Sequence, residues 1–268
     1  MRWAVAIAAV AIIGLSACSQ KALVYEKKLD DGQSFTAYLV SYQSSGLKVY
    51  AMVAVPNAVM PTGGFPVIVA NHGFVPDPAK YGITADGVDS RPGDYYRSVP
   101  ELYTSRGFLV VLPDYRGHNS SEGLGFTGTS ESVEYYADDV IALLGVLHEL
   151  QQSDMNNVFM WSHSMGGAVS ARVLLETDLV KGASFWATSP VGDLGDRLGD
   201  LRVPLMIQHS SGDSVTRSTN SDELAAILDQ SSKSYVLHAY ESPDHFFAGE
   251  DREMAADRDA AFFRSIAE

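Results

Sequence analysis

Three side chains in the second half of the chain could together carry out nucleophilic attack on an acyl carbon. Ser164, Asp213 and His245 each follow a short apolar segment that predicts a buried strand. A serine hydroxyl is a weak nucleophile until a neighbouring base removes its proton, and a carboxylate can orient that base. Because the carboxyl ends of parallel strands meet at one edge of a sheet, parallel strands would bring these side chains together.

Ser164 lies where a predicted strand turns sharply into a predicted helix. The segment Val158–Gly167, V-F-M-W-S-H-S-M-G-G, resembles the nucleophile elbow of α/β hydrolases, usually G-x-S-x-G, with Ser162 in place of the first glycine. That turn requires small residues two positions before and after the nucleophile. Ser162 and Gly166 satisfy the requirement around Ser164. Ser162 does not satisfy it, because the large residue Met160 lies two positions before it. The resemblance therefore implies that Ser164 is the nucleophile.

The base and the acid follow Ser164 in the order that the fold family uses, serine, acid, histidine. Three histidines come after Ser164. His238 lies within the last predicted strand and His209 precedes the acid, whereas His245 stands between that strand and the last helix. His245 is therefore the predicted base.

The acid is expected in the loop that follows the strand ending at Gln208. The segment Gln208–Val215 resembles the H-G-x-x-D-x-x-V segment of the same superfamily, with Ser210 where glycine is usual. The resemblance implies that Asp213 orients His245. Asp244 is less suited, because a residue next to His245 in the sequence rarely points at the far nitrogen of its ring. Three weaker candidates lie in a polar loop: Asp193, Asp196 and Asp200.

Acyl transfer also needs hydrogen-bond donors for the oxyanion. Asn71–Phe74 resembles the H-G-x oxyanion turn of hydrolases, and Gly73 permits the backbone dihedrals that such a turn demands. The resemblance implies an oxyanion hole built from the backbone N–H groups of Phe74 and Met165. His72 is expected to brace this loop and to take no part in proton transfer.

A further segment narrows the resemblance within the superfamily. Gly107–Gly123 contains P-D-Y-R-G-H-N-S-S and is similar to the segment before the elbow in prolyl-oligopeptidase-like and dienelactone-hydrolase-like proteins, with Asn119 at the usual second glycine. Asp114 and Arg116 are predicted to be structural, with an internal ion pair there that orients loops.

Predicted strands and helices alternate along the chain, which is typical of a parallel sheet covered on both faces. We predict an α/β fold: a single α/β-hydrolase domain with a mostly parallel central sheet, helices on both faces and no large lid domain. The interval Thr188–Arg202, about 15 residues, is too short for such a lid. The predicted strands are Ser34–Tyr42, Leu47–Val55, Pro66–Asn71, Phe108–Leu112, Asn157–Trp161, Ala183–Ala187, Val203–Gln208 and Tyr235–Tyr240, and the predicted helices are Asp94–Arg106, Glu131–Leu150, Met165–Glu176, Thr219–Gln230 and Arg252–Ile266.

The stretch Val75–Gly93 breaks this alternation, because it is rich in Pro, Gly and Asp and lacks periodicity. It predicts either a long loop beside the active site or a solvated insertion. Several aromatic residues are expected either to line an open site or to belong to the core: Phe74, Tyr81, Tyr95, Tyr96 and Trp186.

The N-terminal residues read as a targeting signal. Arg2 precedes the apolar segment Ala4–Leu15, which is shorter than the about 20 residues that a membrane-spanning helix needs. Leu15-Ser-Ala-Cys18 then resembles the lipobox of bacterial lipoproteins, which implies lipidation of Cys18, with palmitate among the acyl groups. An ordinary secretory signal is the alternative. We predict a lipoprotein signal peptide over 1–17, a tether over 18–33 and the hydrolase domain over 34–268.

A lipid at Cys18 would anchor the protein to a membrane of the cell envelope. By resemblance to enterobacterial sorting, Ser19 favours the outer membrane, facing the periplasm, if the cell is Gram-negative. Cys18 is the only cysteine in the chain. Its lipidation would therefore leave no thiol for a disulfide or for a cysteine nucleophile.

The composition argues against several other functions. The formal net charge is −14, and so acidic a protein is repelled by phosphate backbones, which argues against nucleic acid as a partner. The sequence shows neither Cys/His spacing typical of a metal site nor a Gly-rich phosphate loop before a helix. We expect no cofactor and no metal, and the sequence does not indicate an oligomeric state.

These features favour a serine carboxylesterase that cleaves small or extended acyl esters through an acyl-enzyme on Ser164. The substrate would be a small-molecule or peptide-like acyl compound. A serine peptidase or amidase of the prolyl-oligopeptidase-like type is one alternative, although the chain has no room for the β-propeller of prolyl oligopeptidases proper. A non-catalytic binding lipoprotein is the other alternative.

Overall fold

The computed structural model describes residues 21–29, 31–74, 96, 98–125 and 130–267. The predicted signal peptide over 1–17, Cys18, the stretch Val75–Gly93 and Tyr95 lie outside these residues. None of the helices in the described ranges is long and apolar enough to cross a membrane.

In the described residues, nine strands form one mixed sheet in the order β1-β2-β3-β5-β4-β6-β7-β8-β9. Neighbouring strands are parallel in the series β5-β4-β6-β7-β8-β9 and antiparallel in the series β1-β2-β3-β5. The strands are β1 Val24–Lys28, β2 Phe35–Ser44, β3 Leu47–Pro56, β4 Phe65–Asn71, β5 Leu109–Pro113, β6 Ser153–His163, β7 Ala183–Trp186, β8 Leu205–Ser210 and β9 Tyr235–Tyr240.

Helices cover both faces of this sheet. They are α1 Ser98–Thr104, α2 Ser130–Val146, α3 Met165–Glu176, α4 Thr219–Gln230 and α5 Gly249–Ser265, with 3₁₀ helices at Leu147–Glu149 and Gly192–Asp200. Apolar side chains of α1 and α5 belong to the core on one face, and those of α2, α3 and α4 belong to the core on the other. The predicted single-domain α/β fold with a mostly parallel central sheet is confirmed.

The two edges of the sheet depart from the sequence-based description. Val24–Lys28, in the segment predicted as a tether, forms β1 and pairs with β2, and its side chains are all exposed. At the other edge, the predicted buried strand Tyr235–Tyr240 forms β9, in which Val236 and Leu237 are exposed. An edge strand has a neighbour on one side only, so it keeps more contact with solvent.

A buried carboxylate joins α5 to the sheet. Asp259 is fully buried, and its Oδ2 accepts hydrogen bonds from Tyr103 Oη (2.6 Å) and Trp186 Nε1 (2.8 Å). Its Oδ1 accepts one from Gln208 Nε2 (2.6 Å). One side chain therefore ties α5 to α1, β7 and β8. Burial raises the pKa of Asp259 to about 7, although these hydrogen bonds lower it in part.

This pKa predicts a pH-dependent stability. A pKa that is higher in the folded than in the unfolded chain gives stability that is complete below the unfolded pKa of about 4 and is lost as pH rises through about 7. We expect the difference in unfolding free energy between the wild type and Asp259→Asn to shrink by on the order of 2 kcal/mol from pH 5 to pH 8. Urea denaturation at both pH values measures it. A difference in unfolding free energy that stays constant with pH would contradict a raised pKa for Asp259.

Candidate active site

Ser164 occupies a strained turn between β6 and α3. Its backbone has φ 54° and ψ −124°, a left-handed conformation that residues other than glycine rarely adopt. The Ser164 N–H donates to the carbonyl of Trp186 on β7 (3.0 Å), and the Ser164 carbonyl accepts from the N–H groups of Gly167 (2.9 Å) and Ser189 (3.0 Å). These hydrogen bonds hold the turn at the carboxyl end of the parallel sheet, as the elbow resemblance implies.

The residues two positions away from Ser164 show why the turn needs small side chains. A Cβ on Gly166 would overlap the carbonyl oxygen of Asn71 and lie 2.8 Å from that of His72. Ser162 is fully buried, and its hydroxyl donates to the carbonyl of Ser184 (3.3 Å). Ser162 therefore replaces the usual glycine because its small side chain finds a partner on β7.

The predicted oxyanion turn lies against the elbow. A Cβ on Gly73 would stand 2.9 Å from the Cβ of Ser164 and 3.1 Å from the carbonyl oxygen of His163. Phe74 follows Gly73 after β4 and is 48% exposed, and Met165 begins α3. The structure thus brings the two segments that carry the predicted oxyanion donors to the residue that they would serve.

The predicted base and acid are in direct contact. His245 Nδ1 lies 2.7 Å from Asp213 Oδ2. The Asp213 side chain is fully buried, whereas that of His245 is 21% exposed. Since a carboxylate can only accept, Nδ1–H donates to Asp213, and Nε2 is left as the nitrogen that could take a proton from serine.

Hydrogen bonds keep Asp213 ionised. Its Oδ1 accepts from the backbone N–H groups of Val215 (2.7 Å) and Thr216 (3.0 Å). Burial raises the pKa of Asp213, but the hydrogen bonds from His245, Val215 and Thr216 outweigh burial and lower that pKa below its ordinary value. A charged carboxylate at this position can stabilise an imidazolium on His245.

His163 was not singled out by the sequence, yet it connects the elbow to the base. Its Nε2 lies 2.9 Å from the carbonyl oxygen of His245, and the two rings are 4.4 Å apart between centroids. Burial, and then the neighbouring His245, lowers the pKa of His163 to about 3, so the ring is neutral. His163, the residue before the nucleophile, therefore holds His245 beside the elbow. Its place between the two elbow serines was the available sequence signal.

His209, which the sequence placed before the acid, is also part of the site. Its Nε2 lies 3.3 Å from Asp213 Oδ2 and 3.0 Å from the carbonyl oxygen of Thr216. The Ser221 hydroxyl lies 2.7 Å from Nδ1. Because the carbonyl of Thr216 only accepts, Nε2 carries the proton, and Asp213 faces a second N–H donor. The histidine of the H-S-S-G-D segment was the signal for this contact.

His72 braces the oxyanion turn as predicted. Its Nδ1 lies 2.8 Å from the carbonyl oxygen of Gly73, and its ring stacks on Tyr115 at 4.2 Å. Burial, and then the nearby His118, lowers the pKa of His72 to about 3. A neutral, buried ring in these contacts is a structural element of the loop.

The segment after β5 is structural, but the ion pair of Arg116 is formed with a helix and not with Asp114 in the same segment. Arg116 pairs with Asp139 on α2 (2.6 Å), and Asp114 accepts a hydrogen bond from the Asn119 side-chain amide (2.8 Å). Burial raises the pKa of Asp114 well above its ordinary value. Asn119 has φ 56°, which explains why glycine is usual at its position.

Two of the aromatic residues that were expected either to line the site or to belong to the core are core residues. Tyr96 and Trp186 are fully buried in the core, whereas Phe74 is exposed beside the elbow. Tyr81 and Tyr95 lie outside the described residues.

Comparisons with known proteins bear on the fold of this chain and on its class. The sequence profile of the family described as serine aminopeptidase, S33, matches residues 83–190. Among curated proteins, none is similar in sequence to this chain. Dipeptidyl peptidase 4 of Porphyromonas gingivalis is 17% identical with a TM-score of 0.64, over 87% of this chain and 36% of that one.

Two other solved structures show the same likeness. Acylaminoacyl peptidase of Pyrococcus horikoshii is 17% identical with a TM-score of 0.68, over 88% of this chain and 42% of that one. Acetyl xylan esterase 1 of a Thermoanaerobacterium species is 13% identical with a TM-score of 0.66, over 93% of this chain and 89% of that one. The chain spans little more than a third of the dipeptidyl peptidase. The solved structures show the α/β-hydrolase fold. The family match over residues 83–190 supports a serine hydrolase.

Proposed function

We propose that this protein is a serine carboxylesterase that forms an acyl-enzyme on Ser164. The observation that carries the proposal is the hydrogen bond between His245 Nδ1 and Asp213 Oδ2, held by His163 beside the elbow. The strained turn at Ser164 and the adjacent Gly73 supply the remaining parts of an acyl-transfer site.

In this mechanism the Ser164 hydroxyl gives its proton to His245 Nε2 and attacks the ester carbonyl carbon. The backbone N–H groups of Phe74 and Met165 stabilise the oxyanion of the tetrahedral intermediate. The C–O bond of the ester then breaks, and the imidazolium returns its proton to the departing alkoxide. Water, deprotonated by His245, attacks the acyl-enzyme, releases the acid and restores Ser164.

Two considerations favour esters over amides as substrates. Ester leaving groups need less protonation than amines, so a site with one general acid serves them readily. Between β7 and β8 the described chain forms only the 3₁₀ helix Gly192–Asp200 and short connections, which supports an open site for small or extended acyl groups. The likeness in size and fold to acetyl xylan esterase 1 is consistent with this choice.

A serine peptidase or amidase is the second candidate. The matching family profile describes serine aminopeptidases, and two of the similar structures are peptidases. The match covers 36% of the dipeptidyl peptidase chain and 42% of the acylaminoacyl peptidase chain.

Paired substrates separate these candidates. We expect the purified protein to hydrolyse p-nitrophenyl acetate with a kcat/KM about 100-fold or more above that for aminoacyl p-nitroanilides, since the amine is the poorer leaving group. Release of p-nitrophenol and p-nitroaniline measures both. Faster cleavage of the anilides would favour the peptidase, and no turnover of either substrate would favour a non-catalytic binding lipoprotein.

We also propose that the chain is a lipoprotein anchored to a membrane of the cell envelope through Cys18. The support is the lipobox-like sequence that ends at the only cysteine in the chain. Radiolabelled palmitate should enter the wild type, and Cys18→Ser should abolish the label and release the protein from the membrane fraction. Labelling of the Cys18→Ser variant would contradict the proposal.

A further inference from the structure

The Tyr96 hydroxyl lies between the oxyanion turn and the elbow. It is 2.8 Å from the backbone nitrogen of Gly73 and 2.7 Å from His163 Nδ1. All three residues are buried. On the far side of its ring, His163 Nε2 lies 2.9 Å from the carbonyl oxygen of His245.

The chemistry of the end groups fixes the direction of these hydrogen bonds. A backbone carbonyl only accepts, so His163 Nε2 carries the proton and donates to His245. Nδ1 of the neutral ring is then an acceptor, and the Tyr96 hydroxyl donates to it. The Gly73 N–H in turn donates to the Tyr96 oxygen. The three hydrogen bonds run in one direction, and such chains strengthen each member.

The two ends of this series of hydrogen bonds, Gly73 and His245, belong to the parts of the site that must keep a fixed separation. Gly73 precedes Phe74, whose N–H is one of the two predicted oxyanion donors, and His245 is the predicted base. We propose that Tyr96 and His163 are positioning residues that hold the oxyanion turn at a set distance from the base. This inference rests on the proposed esterase function, because it assigns both ends their roles there.

Packing restricts the movement of these hydrogen-bonded residues, Gly73, Tyr96, His163 and His245, which we call the relay. The Tyr96 ring meets Trp161 edge-on at 5.8 Å and Phe246 at 5.2 Å between centroids. The His163 ring lies 5.1 Å from that of Phe246. A Cβ on Gly73 would come within 2.7 Å of the Tyr96 oxygen, so the turn approaches the hydroxyl closely because it has no side chain there. The His163 ring also stays neutral at assay pH, because burial lowers its pKa to about 3.

The variant Tyr96→Phe tests the relay, because it removes one oxygen and keeps the ring. We expect kcat for p-nitrophenyl acetate to fall about 10- to 30-fold, with KM within about twofold of wild type, since the geometry matters most in the transition state. The inhibition constant of a boronic acid, which forms a tetrahedral adduct on serine, should rise by a similar factor.

Tyr103→Phe is the matched control. Tyr103 is also fully buried, and its hydroxyl donates to Asp259 (2.6 Å), away from the elbow. Its kcat should stay within about threefold of wild type. Equal losses in both variants, or a Tyr96→Phe variant with wild-type kcat and boronate affinity, would overturn the inference while leaving the esterase proposal intact.

His163→Leu gives a second test, and it stands alone if Tyr96→Phe does not fold. Leucine can neither donate to the His245 carbonyl nor accept from the Tyr96 hydroxyl. We expect this variant to lose at least as much kcat as Tyr96→Phe, and the double variant to lose little more than His163→Leu alone. Additive losses would contradict a shared relay. A wild type that neither turns over esters nor reacts with a fluorophosphonate would overturn the esterase proposal itself.

Discussion

Ser164→Ala should lower kcat/KM for p-nitrophenyl acetate by about 10⁵-fold or more, to a rate set by the remaining binding groups. Ser164 stands at the strained turn between β6 and α3, with its Cβ against the predicted oxyanion turn. Alanine removes the attacking oxygen and leaves the turn otherwise unchanged. Steady-state rates, together with circular dichroism to verify folding, measure the effect.

Ser162→Ala is the control that separates the two serines of the elbow. The Ser162 hydroxyl donates to the carbonyl of Ser184 within the sheet, so its removal should cost at most a few-fold in rate. If Ser162→Ala loses activity and Ser164→Ala keeps it, the nucleophile has been misassigned.

Asp213→Asn should lower kcat by about 10³- to 10⁴-fold. The carboxylate of Asp213 accepts the Nδ1 proton of His245 at 2.7 Å and lies opposite an imidazolium once serine is deprotonated. An asparagine amide is neutral and can present N–H to the ring, which would favour the wrong tautomer. Rates measured across pH 6 to 8 test this expectation.

The lowered pKa of Asp213 sets the pH range of this effect. A carboxyl whose pKa is depressed in the folded chain stabilises the protein above its unfolded pKa and loses that contribution only as pH falls through the folded value. The Asp213 carboxylate is therefore charged throughout pH 6 to 8, and the deficit of Asp213→Asn should persist across that range.

Asp222→Asn provides the matched control, because it makes the same change of charge on the exposed surface of α4. Its activity should equal that of the wild type within about twofold. If Asp213→Asn behaved like this control, another carboxylate would have to orient His245.

Local patterns in the sequence predicted the elements that carry the chemistry. Helix Met165–Glu176 and helix Thr219–Gln230 have the bounds that were predicted from the sequence, and the short apolar runs before Ser164 and Asp213 form parallel strands. The spacing of small residues around Ser164 was informative because the turn touches the backbone of Asn71 and leaves no room for larger side chains.

Contacts between distant parts of the chain could not be predicted in the same way. Tyr96 and His163 meet across 67 residues. Arg116 forms its ion pair with Asp139 on α2 and not with Asp114, which is two residues away in the sequence. Strand β1 escaped notice because all its side chains are exposed, so burial leaves no alternating pattern to read. Such partners depend on how the sheet and helices pack, which no local pattern encodes.

The residue that reacts with a fluorophosphonate shows most directly whether Ser164 is the nucleophile. We expect one label per chain, on the peptide that contains Ser164, with labelling lost in His245→Ala because the serine hydroxyl then lacks its base. A label on any other residue of active protein, or no label at all, would contradict it.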